Sequence, residues 1–145
     1  MTFVEAASTG PQLSPAVDGI RLTLHVLAAS IWVGGQFTMA GLLPTARRAG
    51  ADVSQKLART LAVLLWPAFA LLVITGFWNI STITLSGQSM AWKTVLMVKL
   101  VVVVIAGVGV YLHQRSTTKR SLALWASVGG LASVAALVMG VFLAG

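Results

Sequence analysis

Three long runs of this sequence contain no Asp, Glu, Lys or Arg: residues 22–46, 60–92 and 121–145. About 20 apolar residues are enough for a helix to cross the hydrocarbon of a bilayer, and each run exceeds that length. A fourth stretch, Trp92 to Arg115, is equally apolar apart from Lys93 at its edge and Lys99 inside it. The pattern predicts four transmembrane helices, at about 20–43, 58–80, 92–114 and 121–144. The chain therefore reads as one all-α integral membrane domain, an antiparallel four-helix bundle with both termini outside.

Composition excludes the alternatives. Charged residues make up 9% of the chain, against about 25% in soluble domains. The net charge of +7 would suit a nucleic-acid partner if the basic residues formed a patch on a folded surface. They do not, because they lie between the apolar runs. Arg47, Arg48, Lys56 and Arg59 follow the first span, and Arg115, Lys119 and Arg120 follow the third. The positive-inside rule places both connectors in the cytoplasm, which makes this a multi-pass protein of the cell membrane with extracytoplasmic termini. No nucleic acid is expected; the partners are the lipid bilayer and, beyond it, a second copy or a larger membrane complex. The chain has no cysteine, so thiolate metal sites and thiol catalysis are excluded.

Residues 1–19 read as a short extracytoplasmic segment. They contain Glu5 and Asp18 and lack the basic start and apolar core of a signal peptide, so the first helix must do the targeting. Pro44 is expected to follow that helix, and Pro67 to bend the second. In the last span Ala126, Gly129, Ser133, Ala136 and Gly140 repeat at spacings of 3 and 4, a stripe of small residues that lets another helix approach closely.

The polar residues inside the spans need a separate explanation, because an intramembrane charge is costly and marks function by default. Lys99 lies seven residues beyond Trp92, about 10 Å along the helix. His25 starts at the same depth from the same side, and Thr75 and Asn79 on the second helix reach that level from the other direction. Four polar groups from three helices thus share an outer-leaflet layer. His25, Ala29, Trp32, Gln36 and Met39 form one helical stripe, and Lys99, Val103, Ala106, Val110 and His113 form another.

A neutral His25 imidazole has the chemistry of a haem-iron ligand, its other nitrogen fixed by an acceptor such as Asn79. His113 cannot complete a bis-His haem with it, lying fourteen residues beyond Lys99, about 21 Å away at the basic edge. Copper is the other cofactor to weigh. Soft thioether and imidazole ligands suit Cu(I), and Met90 and Met97 lie at depths compatible with His25.

The first helix reads LHVLAASIWVGGQF (Leu24 to Phe37), the second ends LLVITGFWN (Leu71 to Asn79), and the third contains MVKLVVVV (Met97 to Val104). In order and spacing these resemble the CopD-type copper-resistance membrane proteins across residues 20–113. The His25 to Trp32 spacing and the lysine in the third helix also resemble the HemJ-type protoporphyrinogen oxidases. The first resemblance implies a bundle that holds copper or haem near its outer face, with His25, Lys99, Asn79, Trp32 and the two methionines as neighbours. The second implies a haem-dependent oxidase in which His25 is the haem ligand and Lys99 a carboxylate partner. A third reading needs no cofactor: an accessory subunit that packs its small-residue stripe and basic loops against a larger complex. The cytoplasmic half of the bundle has few polar residues, so a redox or metal-site protein is easier to support than a permeation pathway.

Overall fold

A computed structural model of the chain describes residues 15–144. The expected extracytoplasmic segment lies mostly outside the described residues. The rest is helical: α1 (Ala16–Ala49), α2 (Ala51–Ser81), α3 (Met90–Arg115) and α4 (Lys119–Ala144), with a short 3-10 turn at Leu85–Gly87. All four are long and apolar enough to cross a membrane.

Each helix outruns its predicted span. Pro44, expected after α1, lies inside it, and the helix continues to Ala49. A proline costs the helix its own N–H donor and a crowded carbonyl one turn back, and the five residues beyond it here still form helix. Arg47 and Arg48 then sit in the last turn, where the exposed carbonyls favour positive charge. The basic residues of the first connector are therefore carried on helix ends. The connector itself is one residue, Gly50, at φ 129° and ψ 156°. A side chain is strained in that conformation, so glycine permits the abrupt turn. At the start of α3, Ser89 caps the helix by accepting the Trp92 N–H at 3.2 Å.

α1 packs along α2, and α3 along α4. Contacts run in opposite order along the first pair: Arg21 meets Thr82, His25 meets Thr75, and Gly35 meets Leu65. The bundle is small inside and large outside. Ala28, Ala46, Ala68, Ala106, Gly107, Gly109, Gly129 and Ala132 are buried, while Phe37, Val63, Phe77, Leu131 and Phe142 are exposed. In water this would be inverted; in lipid, where apolar burial drives little, helices associate by close packing of small residues. The predicted α4 stripe performs this role at Gly129 and Ser133, both buried, whereas Ala126 remains exposed.

The two hairpins are joined by an aromatic cluster. Trp32 of α1 is 1% exposed and lies against Phe69 and Trp66 of α2, with ring centroids 4.5 and 5.8 Å away. Its Nε1–H donates to Ser133 Oγ of α4 at 3.0 Å, and Gln36 donates to the same oxygen at 3.1 Å. On the other side Phe69 presses against Gly107 of α3, and Trp66 donates to Gln114 at 3.1 Å.

Candidate functional site

The predicted polar layer exists at the end of the bundle where α1 and α3 begin. The pairing within it differs from expectation. His25 Nδ1 lies 2.8 Å from Thr75 Oγ1, so Thr75 and not Asn79 is the partner of the imidazole. Both residues occupy one face of α2, a turn apart, and the relative height of the two helices selects the deeper one. Thr75 is 2% exposed, and its hydroxyl is 2.7 Å from the Leu71 carbonyl and 3.2 Å from that of Leu72. Gly76 follows it; a β-carbon there would stand 3.5 Å from His25 Cε1, so the ring edge rides over the glycine.

Asn79 belongs to the next rung outward, with a residue the sequence reading did not single out. Arg21, one turn before His25, is 8% exposed. Its guanidinium pairs with Asp18 at 3.0 Å and donates to Thr82 Oγ1. Thr82 in turn donates to the Asn79 main-chain carbonyl at 2.9 Å. Arg21 Nε and Asn79 Oδ1 are buried without partners in this cluster. The signal was present in the spacing, since Arg21 and His25 share a helix face, but a charge at the edge of a span reads as a boundary mark.

Lys99 reaches the same layer from α3. Its Nζ lies 3.0 Å from where a Gly140 β-carbon would stand, so the α4 glycine makes room for it. Among the described residues no carboxylate pairs with it.

Met90 and Met97 are 76% and 62% exposed on the bundle surface. The geometry explains why. Seven residues apart, they share a face of α3, and Met97 precedes Lys99 by two residues, about 200° around the helix. With Lys99 inward, both thioethers point outward. Trp32 is two turns deeper than His25, and its only polar group is engaged by Ser133. His113 stands at the opposite end, its Nδ1 2.9 Å from the Leu122 carbonyl, which ties α3 to the start of α4. Among the described residues no group of three or more His, Cys, Asp or Glu side chains gathers to hold a metal ion.

The arrangement thus offers one imidazole anchored through Nδ1, with Lys99 reaching its layer from α3 and Arg21 one turn outward. Nδ1 engagement leaves Nε2 as the nitrogen available to a ligand. Comparison of the chain with protein-family models, with curated proteins and with solved structures finds no match, so the resemblance to CopD-type and HemJ-type proteins rests on the motifs alone.

Proposed function

We propose that this chain is an antiparallel four-helix protein of the cell membrane, with both termini extracytoplasmic, that binds haem b through His25 in the outer leaflet and serves membrane redox chemistry. The observation that carries this reading is the His25–Thr75 hydrogen bond at 2.8 Å. Histidines that ligate metals are typically held by their second nitrogen in this way. His25 would hold the iron through its free ring nitrogen, and Lys99 and Arg21 would offer positive charge to the haem carboxylates. Bound haem supplies one-electron transfer. Copper is the weaker reading, because the two methionines needed to soften the site face away from it. The sidedness follows from the basic residues, which gather at the α1–α2 and α3–α4 junctions.

The test is an optical spectrum of the purified protein, oxidised and dithionite-reduced, with metal analysis of the same sample. A Soret band that shifts on reduction and is lost in His25→Ala is the expected result. Retention of the band in His25→Ala overturns the ligand assignment. Stoichiometric copper without a Soret band restores the literal CopD-like reading. Absence of both leaves the accessory subunit.

One observation favours a HemJ-like protoporphyrinogen oxidase as second reading: the Lys99 ammonium lies against Gly140 of α4 with no carboxylate of the described residues to neutralise it. Carboxylates of a porphyrin substrate would do so strongly in a medium of low dielectric. That reading predicts oxygen- or quinone-dependent oxidation of protoporphyrinogen, abolished by Lys99→Met.

A further inference from the structure

The geometry points to Thr75 as the positioning residue of the site: its hydroxyl holds the His25 proton on Nδ1 and thereby leaves the lone pair on Nε2. This rests on the reading of His25 as a haem ligand for its consequence, though the tautomer itself can be observed without any cofactor.

A threonine hydroxyl has one proton to donate and two lone pairs to accept with. Within a helix that proton is normally given to the carbonyl three or four residues earlier. Thr75 Oγ1 lies 2.7 Å from the Leu71 carbonyl and 3.2 Å from the Leu72 carbonyl. With its proton so committed, the hydroxyl can only accept from His25, 2.8 Å away, and Nδ1 must be the donor. A neutral imidazole carries one ring proton, so Nε2 is then the basic nitrogen. Thr75 is 2% exposed, so its hydroxyl is shielded within the helix packing. The ring edge passes over Gly76, where a β-carbon would stand 3.5 Å from His25 Cε1.

A residue that fixes a tautomer differs from one that merely fills space. Thr75→Val keeps the shape and removes the acceptor; Thr75→Ser keeps the acceptor and removes a methyl group. The chain has two histidines, so His113→Gln leaves His25 as the sole imidazole for nitrogen NMR. In that background, with detergent-solubilised full-length protein at pH 8.5, a protonated Nδ1 and an unprotonated Nε2 are expected. Thr75→Val should convert this into a mixture of tautomers, and Thr75→Ser should restore it. Loss of a second-sphere partner typically costs 10- to 100-fold in metal affinity. The dissociation constant for added hemin should therefore rise about 10- to 100-fold in Thr75→Val and return in Thr75→Ser. Size-exclusion and circular dichroism identify any variant that fails to fold, in which case the wild-type tautomer alone decides the assignment. An Nε2–H tautomer in the ligand-free protein overturns the proposal, as does a Thr75→Val protein with unchanged tautomer. If the tautomer is as stated but wild-type protein does not take up hemin, the haem reading fails and the positioning role stands.

Discussion

Ser133 Oγ accepts from Trp32 Nε1 and Gln36 Nε2 and donates to the Gly129 carbonyl at 2.7 Å, which uses every hydrogen-bonding capacity of one hydroxyl. It is a polar joint between the hairpins, beside the Trp66–Gln114 bond. Interhelical hydrogen bonds in membranes average about 0.6 kcal/mol and reach about 1.7. Because Ser133→Ala orphans the donor of a 1% exposed tryptophan, the loss should lie at the upper end, about 1–2 kcal/mol. Ser127, exposed and bonded only to the Ala123 carbonyl, serves as control; Ser127→Ala should change stability by less than about 0.5 kcal/mol. Thermal unfolding in detergent separates the two. At this scale the sequence was half legible. Helical phase put His25 and Lys99 on inward stripes, and both face the bundle interior. The same phase argument applied to Met90 and Met97 would have turned them outward; depth alone had suggested convergence. That Ser133 would meet Trp32 could not be read at all, since the two are brought together only by the docking of one hairpin on the other.

At α3 and α4 backbone meets backbone. A β-carbon on Gly109 would stand 2.8 Å from the Gly129 Cα and N, and one on Gly129 would stand 2.9 Å from the Val110 N. These are backbone atoms, so a rotamer change cannot relieve the clash and the helices must move apart. Gly109→Ala and Gly129→Ala should each destabilise the protein by about 1–3 kcal/mol. Gly34 and Gly130 have nothing within 4 Å of the corresponding position. There alanine should be neutral or stabilising by up to about 1 kcal/mol through its better helix propensity. Gly107 is intermediate, because its β-carbon would meet the tip of the Phe69 ring, which has some freedom to tilt. The small-residue stripe was visible in the α4 sequence as a repeat. Its partner was not, because α3 displays Gly109 within a run of valines that reads as uniformly apolar.

For the whole molecule, the absence of cysteine makes the proposed topology directly measurable. Single substitutions Ser86→Cys, in the α2–α3 connector, and Thr117→Cys, in the α3–α4 connector, should react differently with a membrane-impermeant thiol reagent added to intact spheroplasts. Ser86→Cys should label at once and Thr117→Cys only after permeabilisation. The reverse pattern would invert the orientation and move His25 and Lys99 to the cytoplasmic side. Both residues flank helices that the structure describes, and neither touches the polar layer.

Hydropathy adds residue by residue along a chain, so the sequence by itself determined the number of helices and that they suit a bilayer. Helical phase, equally local, determined that His25 and Lys99 lie on inward faces. Where a helix ends is less local, and Pro44 did not end α1 because the lost hydrogen bond is a small fraction of a 34-residue helix. The height of one helix against another was decided only in the tertiary structure, between α1 and α2 by contacts such as Leu65 on Gly35 and by the aromatic wedge of Trp32, Trp66 and Phe69. That height pairs His25 with Thr75 instead of Asn79 and buries Arg21 against Thr82. A shift of one turn would leave every apolar run intact and change each of these partners.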